Sequence, residues 1–245
     1  MNKTIDYRKN ILLAVKEDLN IKLKNYIVSA VVYGSTLCED FCDFSDFDIL
    51  LILNKSEIEI LNKIKNIREK YLERNIILDF NVHLETEMPR FRKGAFWHNN
   101  RGFYIQKELK TYGINLMGED LFKNLEPKQK DIKLESIRVV NSLLYQTRKL
   151  LINKKINPED KIKLMKFCIY SVLYSLAAKD IYPNSKIEAL KIFSDNFNSS
   201  INPKIFFDKK LLGPNFIDEE DIKLVYKFIS ELDANLFSQY EKGLL

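Results

Sequence analysis

Residues 31–53 read VVYGSTLCEDFCDFSDFDILLIL, and their reading decides the fold. A β-branched run from Tyr26 to Val32 ends at Tyr33-Gly34, ten residues separate Ser35 from Asp46, and a second buried strand, Asp46 to Leu53, opens with Asp46-Phe47-Asp48. Strand side chains alternate between faces, so Asp46 and Asp48 share one face while Phe47, Ile49 and Leu51 take the other. Two carboxylates side by side repel, which is costly unless a cation neutralises them. Hard oxygen ligands on one face suit Mg²⁺, usually bound through one or two carboxylates plus substrate phosphates.

Working outward, Ile5 to Leu23 carries apolar residues at Ile11, Leu12, Val15, Leu19 and Leu23, a helical stripe. Ser56 to Glu73 reads as a second helix, with Ser56 and Glu59 spaced for a capping box. Ile76 to Leu84 reads as a third strand, on which Asp79, Asn81 and His83 share a face. If that strand lies beside the second, three carboxylates converge. Such a trio suits two-metal phosphoryl chemistry, in which cations roughly 3.5–4 Å apart clamp the attacking and leaving oxygens. Gly34 allows close approach of the backbone to a phosphate, and Ser35 adds a hydroxyl and an N–H at the start of a short helix. A nucleoside triphosphate is the natural guest. Plainer roles stand beside these: Ser35 as a helix cap, Asp46 as a turn cap, Asp79 as a strand-edge residue in an inactive relative. His83 reads as a packed or surface histidine, outside the catalytic set.

Gly34-Ser35, the ten-residue gap, Asp46-x-Asp48 and the later strand carboxylate Asp79 resemble the signature of the DNA polymerase β-like nucleotidyltransferase superfamily. The resemblance implies that Gly34 and Ser35 hold the β- and γ-phosphates and that Asp46 and Asp48 ligate Mg²⁺. Asp79 would be a further ligand, the general base for an acceptor hydroxyl, or both. ATP or another NTP and two Mg²⁺ ions are the implied co-substrate and cofactor.

Beyond Met88-Pro89 the pattern changes. Gly94 to Tyr112 reads as an aromatic-rich helix, Gly113 to Gly118 as a short extended piece, and helices follow at about residues 132–153, 158–179, 185–197 and 218–240. The expected architecture is α+β: a mixed-sheet nucleotidyltransferase domain over residues 1–126, then an all-helical bundle over 127–245. The segment from Tyr112 to Phe122 and the helical half are similar to aminoglycoside-type small-molecule nucleotidyltransferases. That similarity implies a hydroxyl-bearing small-molecule acceptor, an antibiotic-resistance role, and Lys186 as a triphosphate contact, against an ordinary first-turn lysine. A cationic acceptor would want acids, and Glu85, Glu87, Glu119 and Asp120 lie near the catalytic strands in sequence, although they also read as solvated loop residues.

The 245 residues suit one or two domains at ~100–200 residues each. With 39 basic and 34 acidic residues the formal charge is only +5, so nucleic acid is permitted rather than indicated. Lysines within 63–70, 128–133 and 154–163 read as solvated helix faces. Cys38, Cys42 and Cys168 fit neither a disulfide scaffold nor a zinc site, and His98 stands alone. The polar N-terminus and the short apolar runs point to a soluble cytoplasmic protein without membrane spans. Two other functions fit the pattern. One is AMP transfer to a partner protein, as in toxin–antitoxin relatives, whose catalytic domain usually stands alone. The other is a non-catalytic RNA- or nucleotide-binding module that uses the aromatics of Phe91 to Tyr104 with Arg90, Arg92, Lys93 and Arg101. The same aromatics also read as a hinge and cleft wall.

Overall fold

The structure is a computed structural model that describes residues 5–37, 46–93, 102–153 and 155–244. It begins with α1 (Ile5–Leu23), β1 (Ile27–Tyr33) and a 3₁₀ turn over Gly34–Leu37, followed by β2 (Phe47–Leu53), α2 (Ile58–Leu72) and β3 (Leu78–Leu84). Then come α3 (Met88–Arg92), α4 (Gly102–Tyr112) and β4 (Ile114–Gly118). The remaining elements are helical: α5 (Gln129–Asn153), α6 (Pro158–Ala178), α7 (Lys186–Asn196), α8 (Lys204–Leu212) and α9 (Glu219–Glu241). The fold class is α+β, with a four-stranded mixed sheet and a helical C-terminal region.

The sheet order is β3-β2-β1-β4, with β1 antiparallel to both neighbours and β2 parallel to β3. A parallel pair needs a crossover, and α2 supplies it. Phe47, Ile49, Leu51 and Leu53 of β2 join Ala30, Val32 and Leu78 on one sheet face, where Val15, Leu19 and Leu23 of α1 and Ile60, Ile64 and Ile67 of α2 cover them. On the other face Val31, Leu50 and Ile52 are buried too, so β2 is a central strand with an almost unbroken apolar run. Between the two covering helices, Asp18 accepts hydrogen bonds from Lys70 Nζ at 2.7 Å and from the Tyr71 hydroxyl at 2.9 Å.

The expected capping box at Ser56 and Glu59 does not form. α2 starts at Ile58 with Glu57 at the cap position and no side-chain cap bond, and the Glu57 carboxylate is taken by Lys55 at 2.9 Å. The piece ending at Gly118 is a true sheet member, paired along the outer edge of β1.

By packing, the described chain separates into two compact units: residues up to 93 with 105–127, and residues 102–104 with 128–244. In the second unit α5, α6 and α9 enclose a core that includes Phe193, Phe206 and Phe228, with ring centroids 5.3–5.8 Å apart around Phe228. Cys168 is buried in that core, and burial pushes its thiol pKa well up, so it packs as an apolar side chain. Asn157 and Asp160 form a reciprocal capping box on α6, as Asp218 and Asp221 do on α9. No helix among the described residues is long and apolar enough to cross a membrane.

Candidate active site

The end of β1 and the start of β2 meet where the chain turns at Gly34. Gly34 has φ +69°, a left-handed conformation that disfavours any side chain, and a Cβ placed there would come within 2.5 Å of Asp48 Oδ2. The backbone conformation therefore demands glycine, and a side chain there would also push the Asp48 carboxylate aside. Asp48 pairs with Tyr33 across the antiparallel ladder and with Asp79 across the parallel one, so all three project from the same face. Asp46 lies just before β2, and its carboxylate joins the group. One ligand atom from each of Asp46, Asp48 and Asp79 lies within 4.8 Å of the others.

That convergence explains the electrostatics. Partial burial, then the neighbouring Asp46 carboxylate, raise the Asp79 pKa above the ordinary aspartate value, while Arg68 on α2 pulls the other way. Oxygens around one Mg²⁺ with ~2.1 Å bonds lie about 3–4.2 Å apart, so modest side-chain adjustment lets this trio share an ion. The donors are all hard oxygens, as Mg²⁺ prefers, and the like charges are the kind that a cation would neutralise. The residues present therefore fit the cation that the motif implies.

On the same face Asn81 Nδ2 donates to the Tyr33 hydroxyl at 2.8 Å, a bond that passes over β2. His83, two residues on, is half-buried with Nδ1 3.4 Å from Glu87 Oε2. Thr36, which sequence reasoning passed over, is almost fully buried. Its Oγ1 donates to the Asp46 carbonyl and accepts the Asp48 N–H, both at 3.3 Å, while Arg8 Nη1 donates to the Thr36 carbonyl at 2.9 Å. Nothing in the sequence marks the direction of that hydroxyl. Its only signal is a hydroxyl residue inside the turn that precedes the aspartates.

The acids suggested for a cationic acceptor lie elsewhere. Leu84 is in register with Leu53, which pairs with Ile27, and Gly118 pairs with Ser29, so Glu85 and Glu87 on one edge of the sheet, and Glu119 and Asp120 on the other, all follow strand ends on the side where β1 begins. The aspartates are at its other end, five or six residues away, or ~17–20 Å at 3.3 Å per residue. Two of the four are also engaged locally. Glu87 accepts the Leu84 N–H at 3.0 Å, and Asp120 accepts the N–H groups of Phe122 and Lys123. Proximity in sequence misled because β2, β3 and β4 all run away from the aspartate end.

Ser35 belongs to the 3₁₀ turn, and its side chain lies outside the described part of the structure, as do Cys38, Cys42, His98 and Arg101. Lys186 is the first residue of α7 in the second unit, half-buried, behind the N-cap Ser185, whose hydroxyl accepts the Glu188 N–H at 3.0 Å. Of the aromatics considered for stacking bases, Phe91 is fully buried edge-on to Phe122 at 5.5 Å, and Tyr104 packs on Tyr174 at 4.5 Å. Rings held by other rings are poor platforms for nucleobases.

No protein-family model and no curated protein matches the sequence. Among solved structures, the chain is similar to the crystal structure of spectinomycin adenyltransferase AAD(9) from Enterococcus faecialis with ATP and spectinomycin. The TM-score is 0.63 at 15% sequence identity, and the match covers 95% of this chain and 99% of that one. The fold is thus shared along nearly the whole length of both proteins.

Proposed function

We propose that this protein is a Mg²⁺-dependent nucleotidyltransferase that moves a nucleoside monophosphate, AMP from ATP in the expected case, onto a hydroxyl of an aminoglycoside-like small molecule. The observation that carries the reading is the meeting of Asp46, Asp48 and Asp79 beside the Gly34 turn. The likeness to an adenyltransferase solved with ATP and spectinomycin supports both the nucleotide and the class of acceptor.

In this reading Asp46, Asp48 and Asp79 would hold Mg²⁺, which when bound neutralises the charge of the triphosphate and of the leaving group. Gly34 leaves the backbone free to approach the β- and γ-phosphates, Ser35 adds its hydroxyl, and Lys186 supplies a cation to the same phosphates. The acceptor oxygen attacks the α-phosphorus and the bond from that phosphorus to the β-phosphate oxygen breaks. Pyrophosphate leaves, and the hydroxyl proton passes to the Asp79 carboxylate. The exposed position of Asp79 suits that task. Because the triphosphate carries its own leaving group, the chain contributes chiefly positioning and electrostatic stabilisation.

The decisive experiment is Asp48→Asn. Mg²⁺-dependent pyrophosphate release with any accepted substrate should vanish while circular dichroism stays that of the wild type, and undiminished turnover would refute the assignment. Incubation of the wild type with labelled ATP and a cell lysate then identifies the acceptor. Label in small molecules supports this reading, and label on a protein band redirects it to protein AMP transfer.

A further inference from the structure

β1 leaves the sheet at Gly34, one residue after its last rung, where Tyr33 faces Asp48. Past Asp48 the ladder beside β2 has no strand to continue it, yet the Asp46 carbonyl on that side is engaged. The Thr36 hydroxyl accepts the N–H of Asp48 and donates to the carbonyl of Asp46. The N–H of Phe47 itself points the other way, to the Ile77 carbonyl at 2.8 Å. A side chain thus stands in for the missing rung. At 3.3 Å both bonds are longer than the ~2.8 Å typical of hydroxyls, so the oxygen bridges its two partners rather than seating on either. Thr36 is 2% exposed, which leaves water little access to replace it. Arg8 on α1 holds the carbonyl of the same residue, tying the turn back to the helix layer.

We propose that Thr36 is a positioning residue of the aspartate site: its hydroxyl, anchored through Arg8, fixes the backbone at 46–48 so that Asp46 and Asp48 present their carboxylates together to a divalent cation. The inference rests on reading the aspartate trio as a cation site. It assigns to Thr36 no contact with cation or substrate. A valine there has the same shape but takes away both hydroxyl contacts, so the Asp46 carbonyl loses its Thr36 donor, the strand start shifts or opens, and the two carboxylates shift with it. Serine keeps the hydroxyl and should keep the function.

The test uses the full chain and Mn²⁺ alone as the probe, with its dissociation constant read by electron paramagnetic resonance. Thr36→Val should weaken Mn²⁺ binding about tenfold, within the range seen when partners behind metal ligands are removed, and Thr36→Ser should stay within about twofold of the wild type. Arg8→Gln should fall between them, and it carries the test if Thr36→Val fails to fold. In Mg²⁺-titrated pyrophosphate release, the Mg²⁺ concentration for half-maximal rate should rise in Thr36→Val by the same factor, a shift that simple loss of stability would not produce. Wild-type Mn²⁺ affinity in both Thr36→Val and Arg8→Gln, or a serine variant as weak as the valine one, overturns the assignment. Asp48→Asn separates the two levels of failure. If it abolishes Mn²⁺ binding while Thr36→Val does not weaken it, only the role of Thr36 falls. If it leaves Mn²⁺ binding unchanged, or the wild type takes up no Mn²⁺, the carboxylate site falls and the role of Thr36 with it.

Discussion

The acids of the helical unit and the acids at the end of β1 are placed in opposite ways. In the helical unit Asp160 closes a cap with Asn157, and Asp221 accepts both the Asp218 N–H and Lys209 Nζ at 2.7 Å. Glu135, 6% exposed, takes the N–H groups of Phe103 and Tyr104 at 2.8 Å each. Each of these carboxylates meets the positive end of a helix, where it stabilises by charge and by hydrogen bonding. In the sheet unit Asp18 is satisfied too, by the side chains of Lys70 and Tyr71. At the end of β1 the rule is reversed, and Asp46, Asp48 and Asp79 are brought against one another. Folded chains tolerate such local conflict chiefly where it serves function, and that singles out the end of β1.

The largest effects should split along that line. Asp79→Asn should cut turnover by about 10³–10⁴-fold, or ~4–5.5 kcal/mol of transition-state stabilisation, while the melting temperature in metal-free buffer holds or rises, because a repulsion has been removed. Pyrophosphate release and thermal melts check both halves, and a clear fall in melting temperature would mark the trio as structural. Phe228→Ala should do the reverse. It leaves a cavity among Phe193 and Phe206 and should cost about 3–5 kcal/mol in denaturant unfolding, with the rate per folded molecule preserved.

How much of this was legible depended on whether the signal was local. α1 and β1 to β3 could be read to within a residue or two because their period and their apolar runs are intrinsic to the segment. The aspartate trio was legible because alternation fixes the face of Asp46, Asp48 and Asp79 once the strands are adjacent. α8 was missed, since Phe206 and Phe207 are buried side by side while Leu211 and Leu212 are exposed, which leaves no amphipathic stripe to detect. α3, five residues opened by Met88-Pro89, is too short to show a period. Strand direction was equally invisible, and it is what carries Glu85, Glu87, Glu119 and Asp120 away from the aspartates. The Thr36 bridge depends on a hydroxyl's orientation within a turn, which no spacing encodes.

Gly34→Ala probes the seam between fold and site. A methyl group at φ +69° is strained and would meet Asp48 Oδ2, so about 2 kcal/mol of stability should be lost along with most of the activity, a joint loss that neither earlier variant shows. Denaturant melts and pyrophosphate release on the same sample measure it. Asn157→Ala, which removes the α6 cap bond to the Asp160 N–H at 2.8 Å, should cost about 1 kcal/mol in the same melts and leave turnover unchanged.

The smallest effect is the most discriminating, because it compares two aspartates of the same unit by the sign of a pH slope. Burial alone would raise the Asp18 pKa, but the hydrogen bonds from Lys70 and Tyr71 outweigh it and hold the carboxyl below its ordinary value. The folded protein therefore binds that proton less readily than the unfolded chain. The contribution is complete above the unfolded value of ~4 and drains away as pH falls through the depressed folded value. Asp79 is shifted upward, so in metal-free buffer its ionisation weakens the fold, and acidification through its raised pKa relieves the cost. Melting temperatures measured from neutral pH downward should show Asp18→Asn below the wild type, with a gap that closes only in the acid range. Asp79→Asn should lie level with or above the wild type at neutral pH, and its gap should close earlier, as the wild-type carboxyl takes up its proton. Parallel curves for the two variants would mean that the carboxylates at the end of β1 are held no differently from the structural pair between α1 and α2, and the contrast between working and supporting acids would be lost.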